Sequence, residues 1–163
     1  MTRSSVLAAG CAIVVAVLLL AGVSRVVAAD NPRLGTWKVN LAKSTYDPGP
    51  APKSVTRTYE VFEGDGVKYT QVTVNADGSV TTLSYSAHED GKEYPFKGNV
   101  NADTIETKRI DAYTNENTLK KAGKVVQMTR SVISKDGKTL TLTQKSPPNA
   151  ARKVNNVLVH DKQ

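Results

Sequence analysis

The sequence is poor in the residues that most often carry chemistry. Its only cysteine is Cys11, its histidines are His88 and His160, and its single tryptophan is Trp37. A lone cysteine cannot form an intramolecular disulfide, and two isolated histidines do not make the ligand cluster of a zinc site. No serine lies in a nucleophile-elbow context, and no carboxylate pair is set up as acid and base. We therefore expect a protein that is not an enzyme and that holds no metal and no cofactor.

Only one long apolar run is present, at residues 6–23. It follows a short polar start with Arg3 and precedes the small residues Val27-Ala28-Ala29, which is the pattern of a signal peptide. We predict cleavage after Ala29, which leaves residues 30–163 as one exported domain, periplasmic or secreted. The alternative is an uncleaved anchor, because the run is at the lower limit of length for crossing a bilayer. Both interpretations place the domain outside the cytoplasm.

Positive charge is moderate and dispersed. Without Arg3 and Arg25 the chain keeps 20 basic and 15 acidic side chains, a formal charge of +5. The lysines are scattered through turns, so we interpret this charge as a solvated surface with at most weak attraction to anionic lipids or polymers. We expect no nucleic-acid partner, no integral membrane domain after signal removal, and a monomer.

After residue 34 the chain alternates between Thr-, Val- and Tyr-rich stretches and short turns that contain glycine, such as Asn75-Ala76-Asp77-Gly78. This alternation is typical of consecutive β-hairpins, and no window shows helical periodicity. Connections this short join antiparallel neighbours. The sequence thus predicts an all-β fold, a single antiparallel up-and-down barrel after the signal helix, with about ten strands near residues 35–40, 54–62, 67–74, 79–88, 92–97, 104–111, 113–120, 124–134, 139–145 and 153–160.

One segment breaks this pattern. Residues 41–53 hold three prolines and one glycine in their second half. Proline cannot donate to a strand ladder, so the segment cannot be a central strand. We expect a proline-rich loop that crosses the surface or covers one end of the barrel.

The motif Gly35-Thr36-Trp37 opens the first predicted strand. In this all-β context it resembles the calycins, which comprise the lipocalins and the fatty-acid-binding proteins. Nearly all of the chain after residue 34 also looks like a group of small exported bacterial lipocalin-like proteins. The resemblance implies a barrel in which Trp37 is the structural plug of one end, with a basic side chain from a late strand packed across it. It carries over no ligand, because residues 41–53 stand where the fatty-acid-binding proteins have a helical lid, and the frequent lipocalin disulfides are absent.

Three arginines occupy positions in their predicted strands that face the same way as apolar residues. Alternate residues of a strand face the same way, and Arg57, Arg109 and Arg130 each share a face with apolar neighbours. One interpretation is a cationic pocket floor that binds a carboxylate or phosphate head. The other is that they lie at strand ends near water, pair with Glu60, Glu106 or Asp111 or, for Arg130, stack on Trp37. The sequence leaves both open.

Aromatic residues recur on successive predicted strands, among them Tyr59 and Tyr85. They could line a pocket or form a filled core, and a filled core is the default for aromatic residues at strand parity. We include Tyr59 and Tyr85 with the three arginines as candidate ligand-binding residues. His88 and His160 are expected at the surface.

Two functions are consistent with these patterns. The favoured one is a non-enzymatic extracytoplasmic binding protein that carries a small amphipathic, fatty-acid-like anion inside the barrel. A buried cation without an internal acid favours it, because such a cation calls for an external anion. The alternative is an envelope structural or interaction protein with a filled barrel, which binds a partner through its surface or residues 41–53. A cavity of about 300 Å³ or more would separate the two.

Overall fold

The computed structural model describes residues 31–163, so the predicted signal peptide and Cys11 lie outside the described residues. The chain folds into ten antiparallel strands and one short 3₁₀ helix, Leu41–Lys43. Within the described residues no helix has the length and apolarity needed to cross a bilayer. The strands are β1 (Gly35–Val39), β2 (Ser54–Phe62), β3 (Gly66–Val74), β4 (Val80–Ala87), β5 (Asp90–Pro95), β6 (Thr104–Arg109), β7 (Thr114–Lys121), β8 (Lys124–Ile133), β9 (Thr139–Lys145) and β10 (Asn155–Lys162).

The strands form one up-and-down sheet in the order β4-β3-β2-β1-β10-β9-β8-β7-β6-β5. Every strand pairs with its neighbour in sequence except β4 with β5, and β1 pairs with β10. The sheet therefore curls into a nearly closed barrel, compatible with a calycin-like fold. The predicted fold class is confirmed, and each predicted strand bound lies within two residues of the observed one.

The seam between β4 and β5 is closed by one bridge just beyond β5. Ser84 and Lys97 exchange backbone hydrogen bonds of 2.9 and 3.1 Å. The next residue, Gly98, has φ +80, and a Cβ atom there would lie 2.0 Å from the Thr82 carbonyl oxygen. Only glycine lets the backbone approach β4 this closely.

Because the strands run up and down, their connections alternate between the two ends. One end, which we call the mouth, carries residues 40–53, 75–79, 96–103, 122–123 and 146–154. The proline-rich loop therefore lies at the mouth. The opposite, closed end carries the N-terminal residues 31–34 and the remaining turns.

The tryptophan lies at the closed end, with no exposed surface. Its indole Nε1 donates a 2.8 Å hydrogen bond to the carbonyl oxygen of Arg33, which satisfies the one polar atom of the ring. The Lys162 ammonium lies 5.1 Å from the centroid of the Trp37 ring, within cation–π range. The basic side chain over Trp37 therefore comes from β10, and the hypothesis that Arg130 stacks there is wrong.

A buried ionic cluster also lies at the closed end, around the carboxylate of Glu89, which is 5% exposed. Arg33, itself buried, lies 3.2 Å from it, and Arg109 Nε donates to it at 2.7 Å. Asn115 Nδ2 donates to the same carboxylate at 2.5 Å. These contacts tie the N-terminal segment to β6 and β7 and compensate the buried charge of Glu89.

Candidate functional site

The barrel encloses a cavity of about 540 Å³ that opens at the mouth. This volume lies within the range of small-molecule sites. The proline-rich loop lines the opening with Pro48, Pro50 and Pro52. The aliphatic part of the wall is formed by Val55, Leu83, Ile105, Leu119, Leu142, Val154 and Leu158.

Arg57 is the buried charged group of the cavity wall, whereas Asp77 and Arg152, which also line the cavity, are exposed at the mouth. It points inward from β2 on the same parity as Val55 and Tyr59, and only 7% of it is exposed. Its hydrogen-bond partners among residues 31–163 are both neutral: Nε donates to His160 Nε2 at 3.0 Å, and Nη1 donates to the Tyr69 hydroxyl at 3.0 Å. The neutral Tyr59 hydroxyl also stabilises the charged guanidinium, and Nη2 makes no hydrogen bond of good geometry within that range of the chain. Arg57 is thus a fixed cation in the wall, and Nη2 is free to bind a ligand atom.

His160 holds this guanidinium in place without neutralising it. The imidazole has no exposed surface, and its Nε2 accepts the Arg57 hydrogen bond, so the ring is neutral with its proton on Nδ1. Burial, and then the charge of Arg57, lower its pKa from 6.5 to about 3. The prediction of a surface position is wrong for His160, whereas His88 is partly exposed and lies 3.0 Å from Asp65.

An aromatic face continues from Arg57 across three strands. The rings of Tyr59 and Tyr69 are 5.0 Å apart, and Tyr69 stacks on Tyr85 at 4.8 Å. Phe96 meets Tyr85 edge-on at 6.0 Å. Burial raises the pKa of Tyr69 and Tyr85 well above 10, so both phenols are protonated at neutral pH. Tyr59 and Tyr85 thus line the cavity next to Arg57, as the pocket interpretation expects.

The rest of the wall is unusually polar for a barrel interior. Tyr69 donates to Gln71 at 2.6 Å, and Gln71 donates to Thr73 at 2.9 Å, which extends the Arg57 network toward the mouth. Neutral polar side chains also come from β7, β8, β9 and β10, namely Asn117, Gln127, Thr129, Gln144 and Asn156. These amides are half-buried, and a core that served packing alone would not place so many of them along its interior.

Positive charge is concentrated at the mouth. The connections there, with the strand residues that flank the β7–β8 turn, hold three acids, Asp47, Asp77 and Asp103. The basic residues outnumber them and are Lys43, Lys53, Lys97, Lys121, Lys124, Arg152 and Lys153. Such an excess at a cavity opening raises the local concentration of anions.

Arg109 and Arg130 do not join Arg57. Arg109 binds Glu89 in the closed-end cluster, so the ion-pair interpretation holds for it, although with an acid that the sequence analysis did not name. Arg130 lies on the outer face with its side chain 53% exposed and pairs with Glu116 at 2.6 Å. The prediction that Arg130 faces the interior is wrong.

A β-bulge explains this error. Gln127 pairs with Leu119 and Val125 pairs with Lys120, which leaves Val126 as the extra residue of β8. A bulge shifts the parity of a strand, so the two ends of β8 follow different alternations. Beyond it Thr129 and Ser131 face inward, and the apolar side chains of Met128 and Val132 are exposed, 46% and 40%.

Sequence reasoning missed several residues of the wall. His160 shares its strand parity with buried Leu158, and Asn117 shares its parity with buried Leu119, so the parity rule alone could have found both. Tyr46 is different: its hydroxyl is buried at the cavity and has no hydrogen-bond partner among residues 31–163. It belongs to the proline-rich loop, where no periodic pattern gives a side-chain direction.

Comparison with known proteins assigns no family to this chain. The chain matches no protein-family model and no curated protein. Within residues 31–163 no group of three or more His, Cys, Asp or Glu side chains is placed to hold a metal ion. The site is therefore described by its own geometry: a polar and aromatic cavity with one buried cation and a basic mouth.

Proposed function

We propose that this protein is a non-enzymatic carrier that binds a small amphipathic anion inside the barrel. The observation that carries the proposal is Arg57, a buried guanidinium in the wall of a cavity of about 540 Å³ whose protein partners within residues 31–163 are neutral. A buried cation without a counter-charge is costly, and an anionic ligand would supply that charge. The Nη2 group and the basic mouth favour the same ligand class.

The body of the ligand would pack against the aromatic face and the aliphatic wall. Tyr59, Tyr69 and Tyr85 offer flat apolar surface beside the guanidinium, and Leu142 and Leu158 continue it on the other side of β1. A molecule with one charged end and an apolar body satisfies both parts of the cavity. Export, as the signal-peptide pattern predicts, would place this carrier in the periplasm or outside the cell.

A binding role is favoured over catalysis by the kind of groups at the cavity. General acid–base chemistry needs a titratable group with a pKa near the working pH. Tyr46, Tyr69 and Tyr85 have raised pKa values, and His160 has a lowered one. The alternative of an envelope protein with a filled barrel is less well supported, because the cavity exceeds the lower size limit of ligand sites.

Binding of a fluorescent fatty acid to purified protein tests the proposal. Arg57→Gln should weaken binding about 10- to 100-fold, since charge-assisted hydrogen bonds contribute roughly 1.5–3 kcal/mol. Arg130→Gln is the matched control, because the same change on the outer wall should leave affinity unaltered.

Native mass spectrometry and lipid extraction of the same preparation would show a co-purified anion. The proposal is refuted if nothing co-purifies and no acid binds the wild type. If an acid binds with equal affinity to wild type and Arg57→Gln, the cavity is a binding site but Arg57 is not the anion-binding residue.

A further inference from the structure

The wall that faces Arg57 has hydrogen-bonding groups left unused. Asn117 Oδ1 is buried at the cavity and has no partner among residues 31–163. Gln127 donates through Nε2 to Thr129, and its Oε1 accepts nothing within the described chain. Gln144 accepts a hydrogen bond from Asn156, and its own Nε2 donates to no described residue.

Two of these residues, Asn117 and Gln127, lie opposite the cation. In the closed order of ten strands, β2 and β7 are five positions apart, as are β3 and β8. Arg57 and Gln71 therefore lie on one side of the cavity, and Asn117 and Gln127 lie on the other. We call the side of the cavity that carries Asn117 and Gln127 the amide wall. A ligand whose charged end is at Arg57 and whose body crosses the cavity would bring its far end to this amide wall.

The unpaired amide groups of this wall favour a ligand whose far end can form hydrogen bonds. A buried acceptor or donor that stays unpaired costs about 1–3 kcal/mol, so a saturated hydrocarbon end would leave a penalty at each amide. A hydroxyl group both donates and accepts, and it can pair with Asn117 Oδ1, Gln127 Oε1 or Gln144 Nε2. Sites built to bind a ligand hydroxyl discriminate strongly against the analogue that lacks it.

We propose that the ligand is a hydroxylated organic acid, with its carboxylate at Arg57 and a hydroxyl group at the amide wall of Asn117 and Gln127. The inference rests on the proposed carrier function and narrows it from an amphipathic anion to one with a polar far end. An aromatic or short aliphatic body between the two ends packs against Tyr59 and Tyr85.

Calorimetric titration with two matched acids at neutral pH tests this. Hydrocinnamate and its para-hydroxy derivative differ by one hydroxyl at the end remote from the carboxylate, and decanoate serves as a plain amphipathic anion. We expect the hydroxylated acid to bind wild type about tenfold more tightly than hydrocinnamate. Asn117→Leu or Gln127→Leu should reduce that preference to about threefold or less. Asn101→Leu, the same change at an exposed position outside the main cavity, should keep it.

The outcomes separate the two proposals. If the two aromatic acids bind wild type equally, or if the preference survives in both Asn117→Leu and Gln127→Leu, the hydroxyl inference is overturned and the carrier function stands. If decanoate and both aromatic acids all fail to bind wild type, the carrier function is overturned together with it. Thermal melts of each variant establish that a lost preference reflects the site and not an unfolded barrel.

Discussion

The buried imidazole of His160 makes the barrel sensitive to acid. In the folded protein its Nε2 accepts a hydrogen bond from the positively charged Arg57, and its pKa is lowered to about 3. In the unfolded chain the same group titrates near 6.5. Between these two pKa values the unfolded state binds one more proton than the folded state, so the free energy of unfolding falls as the pH falls from about 6.5 toward 3.

The loss in the free energy of unfolding depends on how far the pH lies below the unfolded pKa. At pH 4.5 the unfolded imidazole is protonated and the folded one is still neutral. This pH is about two units below the unfolded pKa of 6.5. Each unit contributes about 1.36 kcal/mol, so the His160 contribution falls by about 2.5 kcal/mol between pH 7 and pH 4.5. Protonation would also put a donor on Nε2 and turn the Arg57 hydrogen bond into a repulsion between two cations.

Urea unfolding at pH 7, 5.5 and 4.5 measures this, with the fluorescence of the single buried tryptophan as the signal. In His160→Gln the amide oxygen can accept from Arg57 Nε but does not titrate. The wild type should therefore lose about 2.5 kcal/mol more than His160→Gln over this pH range. His88→Gln, which removes the partly exposed histidine, should keep the wild-type pH dependence. Equal pH dependence in wild type and His160→Gln would refute a neutral buried imidazole beside Arg57.

Two further predictions concern the closed end. Trp37→Ala should lower the free energy of unfolding by about 3–5 kcal/mol, because it removes the largest fully buried side chain. Urea unfolding followed by circular dichroism measures this loss. A loss below about 1 kcal/mol would contradict the role of Trp37 as a structural plug. Glu89→Gln should cost about 3 kcal/mol or more, because it leaves the buried Arg33 guanidinium without its counter-charge. Arg130→Gln, which breaks an exposed pair with Glu116, should cost less than about 1 kcal/mol, and equal losses in these two variants would contradict the burial of the Glu89 cluster.

The strands were predictable because their signals are local. Turns such as Asn75 to Gly78 contain residues that favour tight reversals, and Gly78 has a φ of +92. Connections of a few residues leave an antiparallel neighbour as the only partner, so the up-and-down order follows from their length. The closing contacts depend on residues distant in sequence, as at Ser84 and Lys97, and no local pattern indicates them.

Side-chain direction was predictable only where the alternation is uninterrupted. On β2 the residues Val55, Arg57 and Tyr59 keep one parity and all face inward, as predicted. On β8 the bulge at Val126 changes the parity, and Arg130 faces solvent instead. Bulges are set by pairing with the neighbouring strand, so the sequence of β8 alone does not reveal this one.

The polar interior is the common cause of the remaining differences and the strongest argument for a ligand. Parity assignments assume that apolar side chains face inward, yet Gln127 faces the cavity, while Met128 is exposed. A buried guanidinium and half-buried amides weaken a barrel that only has to fold, because polar groups give up bonds to water there. Departures from apolar patterning concentrate where function outweighs stability. The polar side chains that face the cavity, Arg57, Asn117 and Gln127, are therefore the ones that the two binding experiments should find in contact with the ligand.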